Sequence, residues 1–338
     1  MWLRLFFLLV GTLTLSILVW HIGPSRIWAA MTQVGPFGLL LVLLPSLAMY
    51  LFEAYGWKLT LGAYADAVSF LKLLAIRTAG EVVNMTTPTA YVGGEPLKAY
   101  LLKRDKIPFV DGFASVILAK TVMSIAQVLF ILIALALAVW MVGHEHSTAQ
   151  LVMASVISAG LLGFGIVGVI VVQRWGLFTG ALGILRRANL RIAYLEARAS
   201  KFHDLDRTIL NFYSRDRRRF LLSTGCFFIG WLCEALEVWG MLALLGQPVT
   251  VGASVAIGGL SSMIKGGTFF IPGSLGTQDA GNLVLVTAFG YSEVAGITFA
   301  LLRRFREIVW IVIGLACLTV ANWRPPALGE GEAPGGLN

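Results

Sequence analysis

An all-α polytopic membrane protein is the fold class the sequence predicts, with about six full spans, two broken or re-entrant helical regions and an inverted internal repeat. Three observations carry this. Of 338 residues, 57% are hydrophobic and 13% charged, against roughly half and a quarter in soluble globular chains. The apolar residues gather in runs of about 20, the length that crosses a hydrocarbon layer of roughly 30 Å. Two interrupted regions with similar punctuation recur at an offset of 181 residues. Composition thereby excludes a water-soluble enzyme with its own core, a disordered chain and a collagen-like one.

The first apolar run covers residues 5–20, after Arg4. No small-residue cleavage site follows before His21-Ile22-Gly23-Pro24, so the run is expected to stay as a first span. Further spans are expected at residues 37–57, 113–142, 151–172, 220–245 and 308–323. Regions 67–102 and 251–302 are apolar but broken by Gly, Pro and charge, and neither reads as one clean helix. Residues 1–323 form one transmembrane domain in this reading, with repeat one at about 37–142 and repeat two at about 220–323; residues 324–338 make a disordered tail.

The net charge is +8, yet 18 of the 26 Lys and Arg fall within residues 58–106 and 174–219. Basic loops beside spans mark the cytoplasmic face, so no nucleic-acid partner is expected. With 174–219 inside, parity puts the N-terminus and residues 58–106 inside as well. The outer connections, 21–36 and 143–150, hold one basic residue, Arg26. Arg303, Arg304 and Arg306 then fall toward the outer half of the last span, against the rule. Residues 188–219 contain neither Gly nor Pro, and Ile192, Leu195, Ala199, Phe202, Leu205, Ile209 and Phe212 recur at spacings of three and four. That pattern predicts one basic amphipathic helix lying on anionic inner-leaflet lipids. Cys226, Cys233 and Cys317 sit in apolar runs with no C-x-x-C pair, as packing residues do.

The two halves share a grammar. Leu51-Phe52-Glu53-Ala54 resembles Leu232-Cys233-Glu234-Ala235, and Ala75-Ile76 matches Ala256-Ile257 at the same offset. Trp57 meets Trp239 and Gly62 meets Gly246 with slips of one to three residues. Pro88 and Pro272 each open a glycine-containing loop with a carboxylate seven residues on, Glu95 and Asp279. By parity the halves run in opposite directions, and inverted repeats with interrupted helices are a transporter signature.

The first broken region places Arg77, Glu81, Asn84, Gly93, Gly94, Glu95 and Lys98 in otherwise apolar sequence. Charge at membrane depth costs several kcal/mol unless paired or hydrated, so function is the default reading. Arg77 and Glu81 are four apart and Glu95 and Lys98 three apart, so helical spacing lets each couple pair. Glu95-Pro96 suits a helix start, as does Thr277-Gln278-Asp279. Two half-helix amino ends, with Gly273 and Gly276 beside the second, would then offer N–H groups to an anion such as phosphate. Lys120, Arg303 and Arg304 are candidate cationic walls of that cavity, with snorkelling to an interface as the competing reading. Glu53 and Glu234 are expected to tie helices together, with a proton-relay role as the alternative. For Lys103, Arg104, Asp105 and Lys106 a solvated interfacial turn is the preferred reading.

Enzyme signatures are thin. The sequence has no G-x-x-x-x-G-K-[ST] loop, H-E-x-x-H pair or G-x-S-x-G elbow. His144-Glu145-His146 stands in a short outer loop without further ligands, so neither metal nor cofactor is expected.

Residues Asn84-Met-Thr-Thr-Pro88-Thr-Ala-Tyr-Val-Gly93-Gly94-Glu95-Pro-Leu-Lys98, with Ile271-Pro-Gly-Ser-Leu-Gly-Thr-Gln-Asp279, resemble the lysylphosphatidylglycerol synthase transmembrane, or flippase-like, family. The likeness runs from about residue 37 to 323. It implies lipid translocation in a bacterial inner membrane, with Asn84, Pro88, Gly93, Gly94 and Glu95 of the first motif and Pro272, Gly273, Gly276 and Asp279 of the second as family positions. Lys98 stands where the family often has Arg, and Gly273-Ser274 and Asp279 where it often has Gly-Gly and Glu. The aminoacyl-transferring domain of the synthases has no counterpart here, so synthase activity is not expected. A lipid transporter, downhill or ion-coupled, is the leading expectation. An accessory subunit of a lipid-biosynthetic complex and a lipid-modifying enzyme using Glu95 or Asp279 as base are the alternatives.

Overall fold

The computed structural model describes residues 24–86, 93–142, 175–187, 199–267 and 277–320, with Trp20 and scattered positions between 160 and 173. The described chain is all-helical. In order it forms α1 (Pro24–Thr60), α2 (Phe70–Thr86), α3 (Gly94–Leu102), α4 (Phe109–Val142), α5 (Leu177–Arg187), α6 (Ala199–Arg215), α7 (Arg217–Leu244), α8 (Val251–Gly267), α9 (Thr277–Ala288) and α10 (Glu293–Val320). Short 3-10 turns at Gly62–Tyr64 and Lys103–Asp105 join neighbours.

Thr32–Thr60, Phe109–Met141 and Arg217–Leu244 are long and apolar enough to cross a membrane, and they contain the expected spans 37–57, 113–142 and 220–245 to within a residue. α1 is interrupted at Gly35, whose φ of 74° is left-handed and is followed by Pro36. The expected spans at 5–20 and, for the most part, 151–172 lie outside the described residues, as does the tail. α2 and α8 are each 17 residues, about 26 Å at 1.5 Å per residue. Neither is among the three described helices that are long and apolar enough to cross a membrane. Each is followed in the chain by a still shorter helix that packs on it, so both regions that the sequence marks as broken contain two helices.

Two boundaries differ from expectation. The last helix begins at Glu293 rather than near residue 308, because Arg303, Arg304, Arg306 and Glu307 continue the helix while depressing its hydropathy. The second interrupted region therefore ends with α9, and residues 293–302 belong to the long helix. The single amphipathic helix expected at 188–219 is also corrected. Asp216 leaves helical geometry (φ −103°, ψ 44°), so Arg217, Arg218 and Arg219 start α7. Residues 188–198 lie outside the described set. α6 keeps the amphipathic pattern, with Leu205, Ile209 and Phe212 buried against α4, and Asp206 accepts the Phe178 and Thr179 N–H groups at the start of α5.

The packing has a regular order. α2 packs on α10 and α8 on α4; α1 packs on α10 and α7 on α4. α3 packs on α2 and α4, and α9 on α8 and α10, while α1 and α7 lie against each other. Two apolar clusters stand on either side of a charged layer. One holds Trp57, Leu73, Leu101, Leu118, Phe227 and Leu318; the other holds Leu39, Val42, Val238, Met241, Phe299 and Leu302. α1 and α10 run from the second cluster through the charges to the first. α7 runs the opposite way, from Phe227 through Glu234 and Glu237 to Met241.

Candidate functional site

The site is built first from the α2–α3 pair. Arg77, Glu81 and Asn84 share one face of α2, at spacings of four and three. The helices meet at two glycines. A Cβ on Gly94 would lie 1.9 Å from the Gly80 carbonyl oxygen, and one on Gly80 would lie 2.5 Å from the Lys98 side chain. Gly94 thus serves close helix approach, and its N–H donates to Asn84 Oδ1 at 2.7 Å. This corrects the expectation that the Gly94 N–H is offered to a ligand. Asn84 Nδ2 in turn donates to Glu95 Oε1 at 3.0 Å. Gly93 immediately precedes α3.

Glu95 is the hub of this half. Lys98 Nζ donates to its Oε2 at 3.0 Å, and Lys120 Nζ of α4 stands 3.7 Å from its Oε1. The expected Glu95–Lys98 pair is therefore present. The expected Arg77–Glu81 pair is replaced: Arg77 pairs with Glu53 of α1, while Glu81 faces Lys98 at 3.9 Å. Arg77 also lies 4.4 Å over the Tyr50 ring, within cation–π range. Tyr50 stacks on Trp310 of α10 at 3.9 Å.

The second half answers with arginines. Arg304 holds Asp279 through Nε to Oδ1 at 2.8 Å and Nη2 to Oδ2 at 2.9 Å, and its Nη1 donates to Glu307 at 2.6 Å. Arg303 reaches Glu234 of α7 at 2.7 Å and Ser261 of α8 at 2.5 Å. Arg306 pairs with Glu237. Ser262 donates to Glu234 at 3.0 Å, and Ser261 to Asn282 of α9 at 2.6 Å. Burial makes these partners obligatory, since a buried charge without one costs several kcal/mol. Arg303 and Arg304 are 2% and 1% exposed. Both are held inside ion-pair clusters.

Between the halves lies a cavity of about 240 Å³. Glu53, Arg77, Glu81 and Lys120 line it from the first half, and Glu234, Lys265, Arg306 and Glu307 from the second. An adjoining space of about 40 Å³ reaches Glu95 and Lys98. Neither of the two is lined by Asp279 or Arg304. The lining carries four acids and four bases, so it is formally neutral yet strongly polar. The volume falls short of the roughly 300–1,000 Å³ of sites that enclose whole drug-sized ligands.

Among the expected site residues, Arg77, Glu81, Asn84, Gly93, Gly94, Glu95, Lys98 and Lys120 come together in one cluster. Asp279, Arg303 and Arg304 stand in the other. Gln278 is 3% exposed in the first turn of α9, and its Oε1 has no hydrogen-bond partner among the described residues. Pro88, Pro272, Gly273 and Gly276 lie outside the described set. Glu237, Lys265 and Glu307 were not anticipated. A signal for Glu237 exists in the sequence: Glu234 and Glu237 are spaced like Arg303 and Arg306, and both pairs are separated by 69 residues. Among the described residues no cluster of His, Cys, Asp and Glu is placed to hold a metal.

A profile of the lysylphosphatidylglycerol synthase TM region matches residues 1–316. Two UPF0104 membrane proteins of Methanothermobacter thermautotrophicus are similar: one is 24% identical over 297 residues, covering 85% of each chain, and the other 27% over 293 residues, covering 81% of this chain and 79% of its own. A UPF0104 membrane protein of Pyrococcus horikoshii is 23% identical over 317 residues, 90% of this chain and 92% of its own. No solved structure matches.

Proposed function

Because the chain belongs to the lysylphosphatidylglycerol synthase transmembrane-region family, a multi-pass membrane family, we propose that it moves a lipid with a polar, anionic headgroup across the cytoplasmic membrane. The central cavity is the single observation that carries this reading. It places eight charged side chains from both halves between two apolar clusters, where only function normally retains them. The headgroup passes through this polar layer while its tails stay in lipid.

The two halves act as inverted repeats that rock about the cavity. Support comes from the exchange relation in the packing, in which α2 on α10 mirrors α8 on α4. The reversed order of the apolar clusters along α1 and α7 points the same way. The α2–α3 and α8–α9 pairs then enter and leave on one side, with their irregular backbone covered by protein or water as a membrane requires. The protein acts as a carrier rather than an enzyme, with its N-terminus in the cytoplasm.

Reconstitution in liposomes with a panel of labelled lipids tests this. Protein-dependent transfer of at least one lipid between leaflets is expected. No transfer of any lipid by folded protein would favour an accessory role in a lipid-biosynthetic complex.

A further inference from the structure

Charge is not the whole chemistry of the central cavity. Ser124 and Gln127 continue the face of α4 that Lys120 begins, at spacings of four and three, and both line the cavity. α4 is the most apolar of the three helices able to cross a membrane, and polar side chains at membrane depth are costly and mark function by default. Among the described residues the Gln127 amide has no hydrogen-bond partner. Ser124 Oγ donates to the Lys120 carbonyl oxygen at 3.0 Å, which leaves the hydroxyl able to accept. We propose that Ser124, Gln127 and the ring of Trp231 form a subsite for a neutral hydroxylated ring, a sugar or cyclitol carried by the headgroup. The proposal rests on the reading of this cavity as the headgroup's path and names the part of the headgroup that is recognised there.

The functional groups select this class. A hydroxyl donates and accepts at once, as an amide does, so a ring bearing several hydroxyls satisfies Gln127 and Ser124 together. Trp231 also lines the cavity. Its Nε1 donates to the Met123 carbonyl oxygen at 3.3 Å and its ring stacks on Phe130 at 6.2 Å, so the indole offers the cavity apolar surface, which matches the C–H face of a ring polyol. A cationic group finds less. Of the carboxylates on the wall, Glu53, Glu234 and Glu307 hold arginine partners, and Glu81 faces Lys98. The second half lacks the feature: in the 184-residue register that carries Lys120 to Arg304, Ile308 and Ile311 stand where Ser124 and Gln127 stand here. A long helix of this kind is thus built without them, and packing alone does not call for an amide at 127.

The test reads occupancy rather than transfer. Met123→Cys, on the same wall, is the single thiol after Cys226→Ala, Cys233→Ala and Cys317→Ala. Its modification by a small methanethiosulfonate is timed in phosphatidylcholine vesicles containing either phosphatidylinositol or phosphatidylmethanol at equal mole fraction. Both lipids carry a singly charged phosphodiester; only the first adds a hydroxylated ring. Phosphatidylinositol is expected to slow modification about fivefold more than phosphatidylmethanol, the worth of one hydrogen bond. Gln127→Leu should erase this difference and Ser124→Ala should reduce it, whereas Gln247→Leu, between α7 and α8, should keep it. Free myo-inositol in the buffer should not protect. Equal protection by the two lipids with Gln127 in place would overturn the proposal, as would an undiminished difference in Gln127→Leu, its loss in Gln247→Leu, or full protection by free myo-inositol. Transfer between leaflets, followed in the same vesicles, keeps the two readings apart: transfer with equal protection refutes the subsite alone, and unequal protection without transfer keeps the subsite and refutes the carrier.

Discussion

Arg304 grips Asp279 with two parallel hydrogen bonds, Nε to Oδ1 at 2.8 Å and Nη2 to Oδ2 at 2.9 Å. Lys120 and Glu95, each 184 residues earlier, face each other more loosely at 3.7 Å. The contrast is chemical. A guanidinium matches a carboxylate bidentately, whereas an ammonium is a point charge. Lys120 is also partly exposed and lines the cavity, while Arg304 does not. In the rocking model the looser contact is the one that yields first.

The Arg304–Asp279 contact makes a stability prediction. Removing one partner of a buried pair costs about 3–5 kcal/mol, so Arg304→Ala should lower the denaturation midpoint in detergent strongly. Arg304→Lys should lose less, since a cation remains. An unchanged midpoint in Arg304→Ala would contradict the geometry.

The glycine contact makes another. Gly94→Ala would set a methyl 1.9 Å from the Gly80 oxygen, so α2 and α3 must separate, at the upper end of the about 1–3 kcal/mol range for overpacking or beyond it. Gly240→Ala on α7, with nothing within 4 Å, should be neutral or slightly stabilising. Thermal unfolding of the two variants separates the outcomes.

Glu95→Gln and Lys98→Ala should each reduce lipid transfer about tenfold, the scale on which buried charge partners matter. Lys103→Ala, in the exposed turn after α3, should change it less than twofold. Transfer rates at matched protein levels check this. Equal rates for Lys98→Ala and the unaltered protein would return these charges to a purely structural role.

Topology is open to a direct check. His203, on α6, should face the cytoplasm and His146 the exterior. Single cysteines at these positions, in a background without the native three, are probed with an impermeant thiol reagent in intact cells. Labelling at 146 and protection at 203 are expected, and the reverse would remove the inversion argument.

Much of this architecture is legible in local pattern. The 181-residue register places α8 where α2 predicts it, since both are 17 residues starting at Phe70 and Val251. The Glu95–Lys98 pair follows from helical spacing. What local pattern cannot supply is partnership across the chain. Arg77 has Glu81 one turn away, yet it takes Glu53, because α1 brings a buried carboxylate closer. The start of α10 is hidden for a related reason. Its arginines look like a break in hydropathy until Glu234, Glu237 and Asp279 are seen to neutralise them.

If the headgroup passes through the cavity between the halves, blocking that cavity stops lipid transfer. Ser124 lines it, whereas Leu221 is 67% exposed on α7. Single cysteines at the two positions, in the background lacking the native thiols, are modified to completion with a bulky reagent and lipid transfer is measured in proteoliposomes. Modification at 124 should bring transfer down to the protein-free rate, while modification at 221 leaves it unchanged. Undiminished transfer with position 124 fully modified would contradict passage through the cavity.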